Sequence, residues 1–123
     1  MSLTHAYVAA GLVLASALAP TPASARTPYD GNWSVLIVTD QGPCDRAYRY
    51  GLSVRDGRVI YEGSAAVNVE GRVANNGVVR VRVWAGQQGA SGAGRLNRTT
   101  GGGNWRGTGS MGSCSGNWTA ERR

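Results

Sequence analysis

The run Val67-Asn68-Val69-Glu70-Gly71-Arg72-Val73-Ala74-Asn75-Asn76-Gly77-Val78-Val79-Arg80-Val81-Arg82-Val83-Trp84 decides the fold class. Val67, Val69 and Val73 share a parity on one strand, as do Val79, Val81 and Val83 on the next. A two-residue period marks strands, because successive side chains point to opposite faces. The turn sets the register. A two-residue Asn76-Gly77 loop would place Val73 opposite Arg80 and set the faces against each other. A three-residue loop, Asn75-Asn76-Gly77, pairs Val73 with Val79 and Val69 with Val83, and puts Gly77 in the left-handed conformation such loops require. The other face then carries Arg72 opposite Arg80, Glu70 opposite Arg82 and Asn68 opposite Trp84. Glu70 with Arg82 is ordinary cross-strand compensation, but Arg72 with Arg80 sets like charges face to face. An anion bridging the two guanidiniums would relieve this. Arg72, Arg80, Arg82 and Trp84 are therefore a candidate anion-binding surface; the plainer alternative is that the arginines splay into water.

The same pattern extends in both directions. Upstream, Cys44 to Val54 alternates, with Tyr48, Tyr50, Leu52 and Val54 on one parity. Asp56-Gly57 is a two-residue hairpin signal that sets Val54 opposite Val59 and Leu52 opposite Tyr61. Asn32 to Thr39 reads as a strand apolar on both faces (Trp33, Val35 and Ile37 against Leu36 and Val38), which predicts cover on both sides. Downstream the chain is glycine-rich, with strands expected at Ala90–Leu96, Gly103–Gly109 and Ser113–Arg122. Leu96, Trp105, Cys114 and Trp118 argue against a disordered linker there; small residues on strands allow close backbone approach. The triplet Gly-Asn-Trp occurs at 31–33, 103–105 and 116–118 and uses three of the four tryptophans. Each triplet reads as a strand start. The sum is an all-β domain of about eight short antiparallel strands in a meander, closed as a small barrel or packed as a two-sheet sandwich.

Residues 1–25 read as a secretory signal peptide. An apolar stretch from Ala6 to Ala19 precedes Pro20 and Pro22, and Ala23-Ser24-Ala25 is a small-x-small cleavage pattern. The stretch is too short to span a bilayer. Residues 26–123 are then a single β domain, periplasmic or secreted, with no transmembrane segment after cleavage. So small a domain benefits from a staple, and the two cysteines of an exported chain are expected to form one disulfide, Cys44–Cys114. A redox-active pair is disfavoured by the absence of Cys-x-x-Cys spacing.

The chemistry that residues 26–123 can support is narrow. They carry thirteen arginines and no lysine, and the only histidine of the chain is His5. The usual general base for serine or cysteine nucleophiles is missing, as is a Schiff-base amine. Zinc and copper lose their preferred ligands. The carboxylates fall at turns or strand faces with no spacing that suggests a catalytic pair. The glycine runs lack the Lys-Ser/Thr and the helix of a phosphate loop. The reading is a non-enzyme with no cofactor and no metal.

Two resemblances add expectations. Gly31-Asn32-Trp33 at the start of the first strand, with Arg122 near the end of the last, looks like the lipocalin-avidin (calycin) end pattern. That resemblance implies a barrel closed at one end by Trp33 with Arg122 packed over it. The run Tyr29 to Val38, then Gly42-x-Cys44-Asp45-Arg46-Ala47-Tyr48-Arg49-Tyr50, and the ending Cys114 to Arg123 resemble a group of small exported bacterial β-rich proteins. Labels in that group refer to haem utilisation or to large adhesive exoproteins. A haem role would have to use Met111 or a tyrosine as axial ligand, since no histidine follows residue 25.

The net charge of +6 points to anionic partners such as acidic polysaccharide, lipopolysaccharide or an envelope protein, with nucleic acid disfavoured. The leading expectation is an exported binding protein that engages such a partner through the arginine face. The alternatives are a carrier of a small apolar or aromatic ligand, haem included, and a protease-inhibitor-like envelope interaction module. The carrier would use an interior aromatic cluster of Trp33, Tyr48, Tyr50, Trp105 and Trp118. In so small a domain these rings are expected to fill the core instead, and a carrier requires a cavity among them.

Overall fold

The computed structural model describes Gly11 and residues 26–123. The expected signal peptide, residues 1–25, lies outside the described residues but for Gly11. Eight strands follow in order: β1 Gly31–Gln41, β2 Ala47–Arg55, β3 Arg58–Tyr61, β4 Asn68–Val73, β5 Val78–Ala85, β6 Gln88–Leu96, β7 Thr100–Gly109 and β8 Gly112–Arg122. Each pairs antiparallel with the next, and β8 returns to β1, closing a barrel. The choice between barrel and sandwich is thus settled. Closure pairs every strand on both sides, which protects a meander of short strands from edge-to-edge association, although the β3–β4 seam is held by the single pair Arg58 and Arg72.

The registers read from the turns hold. Val54 faces Val59 and Leu52 faces Tyr61 across Asp56-Gly57. Val73 faces Val79, Val69 faces Val83 and Arg72 faces Arg80. Gly77 has φ +88°, and a Cβ there would strike the Leu96 carbonyl, which fixes glycine at this position.

The triplets do not all start strands. Gly31 opens β1, but the other two lie inside β7 and β8, pairing with each other so that Asn104 faces Asn117, Trp105 faces Gly116 and Trp118 faces Gly103. An indole needs room inside a small barrel, and the glycine opposite supplies it. The glycine-rich strands are accordingly longer than their side chains suggest, since ladder hydrogen bonds need no Cβ. Two further expectations change. β2 begins at Ala47, because Cys44 sits in the preceding loop and is tied to Cys114. Leu36 and Val38 are only half-buried, on the outer wall of the barrel, where no second layer covers β1 among the described residues.

One end of the barrel is closed. Trp33 is 1% exposed, and the Arg122 guanidinium lies over its ring, 4.9 Å from the centroid. Arg122 also donates to the carbonyls of Asp30, Pro28 and Arg98. The Trp33 indole N–H donates to the Tyr29 carbonyl at 2.8 Å, and the Tyr29 hydroxyl reaches the Asn75 carbonyl. Residues 27–30 are thus strapped across the end where the β2–β3, β4–β5 and β6–β7 turns gather. The disulfide lies at the other end. It links residues 70 apart, and closing a loop of that length contributes on the order of 4 kcal/mol by restricting the unfolded chain.

Candidate binding site

Inward positions of the strands carry Trp33, Val35 and Ile37, Tyr50 and Leu52, then valines of β4 and β5, with Trp105 and Trp118 from the glycine-rich side. These side chains do not meet at the centre. They enclose a cavity of about 390 Å³, within the range of small-molecule sites. The expectation that the aromatics fill the core is therefore corrected: all five members of the predicted cluster (Trp33, Tyr48, Tyr50, Trp105 and Trp118) line one space. Two features keep it open. The glycines of β6 and β7 contribute no side-chain volume to the interior, and the indoles are held against the wall by hydrogen bonds. Trp118 Nε1 donates to the Ala93 carbonyl at 3.3 Å, and Trp105 Nε1 to the Val38 carbonyl at 2.9 Å. The second bond depends on Gly116, where a Cβ would collide with that carbonyl.

The space opens away from Trp33, toward the disulfide end. Tyr48, Tyr50 and Tyr61 stand together there, with Tyr48 and Tyr50 stacked at 5.6 Å between centroids and Tyr50 edge-on to Tyr61 at 6.1 Å. Tyr48 is 52% exposed. Burial lifts the Tyr50 hydroxyl above the usual tyrosine range, with Tyr48, Tyr61 and Asp45 adding to the effect. It stays protonated at neutral pH and can donate a hydrogen bond at the mouth. The loop carrying Cys44 and Asp45 borders the opening. Three contacts hold it: the disulfide, the Thr39 hydroxyl on the Asp45 carbonyl at 2.6 Å, and Thr39 N–H on the Arg46 carbonyl. Met111 stands 82% exposed on the β7–β8 turn and does not line the cavity. Among the described residues no group of three or more His, Cys, Asp or Glu could hold a metal ion.

The arginine surface lies on the outside of the wall. Arg72 and Arg80 are paired as the turn implied, and Arg82 faces Glu70 across the ladder while its guanidinium sits 5.0 Å from the Trp84 ring centroid. Two arginines that sequence reasoning did not include join them. Arg58 faces Arg72 across β3–β4. Arg106 faces Ser91, which in turn faces Arg82. The loop at residues 62–67 and the glycines of β6 and β7 carry no turn pattern that would have fixed those registers in advance.

The fold and site define an eight-stranded antiparallel β-barrel with an apolar interior closed at one end. No protein-family model, curated protein or solved structure matches the chain. No helix among the described residues is long and apolar enough to cross a membrane.

Proposed function

We propose that this protein is an exported, non-enzymatic barrel that carries a small, largely apolar and aromatic ligand in its interior. The observation behind this reading is the 390 Å³ cavity, walled by aliphatic and indole side chains and open at a tyrosine-lined mouth. Such a space favours a ligand with an apolar body, stabilised by area removed from water, and a polar end within reach of the Tyr50 hydroxyl. The end closed by Trp33 and Arg122 supports the calycin resemblance, and the signal-like residues 1–25 together with the disulfide support export. For haem the cavity wall offers neither imidazole nor thioether and leaves Tyr48, Tyr50 and Tyr61 as the candidate axial ligands. The chain's only histidine, His5, lies in the expected leader, and Met111 lies outside the lining.

The test is titration with an uncharged naphthylamine dye, following both dye emission and tryptophan quenching. Saturation at one equivalent, competed by other aromatic ligands, is the expected result. Dye emission that never saturates, or that is unchanged when Trp105 and Trp118 are separately replaced by leucine, would refute interior binding.

A further inference from the structure

We propose that the outer wall of β3–β8 is a second site, independent of the cavity, which binds a single chain of an acidic polysaccharide of the polyuronate kind. Two cross-strand rows carry the argument. In the first, Arg58, Arg72 and Arg80 lie directly opposite one another on three successive strands. Adjacent strands are about 4.8 Å apart, so this row spans roughly 10 Å. The second row begins with Glu70 and continues through Arg82, Ser91 and Arg106 to Ser115. Here two guanidiniums flank β6, which shows only Ser91 and Ala93 between them.

Large side chains on β5 and β7 with small ones on β6 form a groove. Arg80, Arg82, Ser91, Ala93, Asn104 and Arg106 line it. Five guanidiniums border the groove against two carboxylates, Glu70 and, at the far edge, Asp40, which accepts from Asn117 Nδ2 at 3.1 Å. Like charges set in a row are unfavourable in the free protein, and a polyanion laid along them converts that repulsion into attraction. Arg82 is held in place by the Trp84 ring, so less side-chain freedom is lost on binding.

The floor chooses among polyanions. Single-stranded nucleic acid needs aromatic platforms for its bases. Trp105 is turned into the barrel, and Trp84 is already covered by Arg82. A membrane surface needs apolar side chains to insert beside the charges, and the groove offers Ser91, Ala93, Asn104 and Ser115. A single small anion needs donors that converge on one point, whereas these guanidiniums are spread over β3 to β7. Carboxylates repeated along a hydroxyl-rich chain match both features: guanidinium forks take the carboxylates, and the Ser and Asn side chains take the hydroxyls.

The experiment is calorimetric titration of the oxidised protein with oligogalacturonate, and with neutral dextran as control. Oligogalacturonate should bind, dextran should not, and affinity should fall steeply as salt rises from about 0.05 to about 0.3 M. Arg80→Ala and Arg106→Ala should each weaken binding roughly tenfold, the loss expected for a charge-assisted hydrogen bond. Arg49→Ala, which removes the same charge on β2 across the barrel, should leave it unchanged. Naphthylamine binding in the same variants reports that the barrel is intact. Equal loss with Arg49→Ala would reduce the effect to net charge and overturn the proposal. So would equal or tighter binding of single-stranded DNA or of anionic phospholipid vesicles, or no binding of oligogalacturonate at all.

Discussion

Trp118 on β8 stands directly opposite Gly103 on β7, and its ring leans across β7 onto β6. A Cβ at Gly94 would come within 2.6 Å of that ring and would also strike the Gly102 carbonyl. The glycines are therefore the negative image of the indole. Gly94→Ala should destabilise the barrel by about 1–3 kcal/mol, the usual cost of forcing a methyl group into a packed site. Gly102→Ala, whose Cβ would meet only the Trp118 carbonyl oxygen at 3.2 Å, should cost clearly less. Urea unfolding followed by tryptophan emission compares the two; equal costs would mean that strand propensity rather than the indole sets the glycine requirement.

The strap across the closed end depends on Arg122. Its guanidinium joins three backbone carbonyls on two segments and covers the Trp33 ring. Arg122→Ala should lower stability by about 2–3 kcal/mol, less than the sum of its bonds because the side chain is partly exposed. Arg122→Lys should recover little of that, since a point charge cannot reproduce a planar fork that spans three acceptors. Full recovery by lysine in chemical denaturation would show that charge alone suffices.

How much of this could be read in advance depended on local turn chemistry. Asp56-Gly57 and Asn75-Asn76-Gly77 specify their own loop lengths, so the pairing of Arg72 with Arg80 and the outward Trp84 followed directly from the residues. The glycine run carries no such code. Gly101, Gly102 and Gly103 have no side chains to give a parity, so the register that places Arg106 in line with Arg82 was not legible. The cavity was illegible for a different reason. An aromatic pattern predicts which side chains point inward, but whether they meet depends on barrel closure and on where each indole N–H finds its acceptor. Trp105 finds the Val38 carbonyl across β8, a partner 67 residues away in the chain.

Asp30 gives the strap a pH dependence. Desolvation pushes its carboxyl upward, but hydrogen bonds from the Thr27 hydroxyl and from the backbone N–H groups of Asp56, Gly57 and Thr27 outweigh this and hold it below the ordinary carboxylate value. A folded-state value below the unfolded one stabilises the fold above the unfolded value, near about 3.9. That contribution is lost as pH falls through the lower folded value. Asp30→Asn should lower stability at neutral pH and flatten the acid limb of the stability curve. Thermal unfolding monitored by tryptophan emission between neutral pH and about pH 2 would show it; an acid limb identical to that of the parent would assign the dependence to other carboxylates.

Val81 allows binding and stability to be separated. Its side chain lines the cavity and leans over Gly71, whose Cβ would approach it to 2.8 Å. Val81→Phe would send a ring into open space instead of packed atoms. Filling a cavity commonly adds about 0.5–2 kcal/mol of stability, so this variant should unfold at higher urea than the parent. Its affinity for the naphthylamine dye should fall about tenfold or more, because the ring occupies part of a site only about 390 Å³ in volume. The opposite signs are what discriminate. A ligand held at the surface would leave affinity unchanged as stability rose, whereas an interior that is already filled would make the larger side chain costly by overpacking. Only an open, ligand-accepting cavity predicts a more stable barrel that binds less.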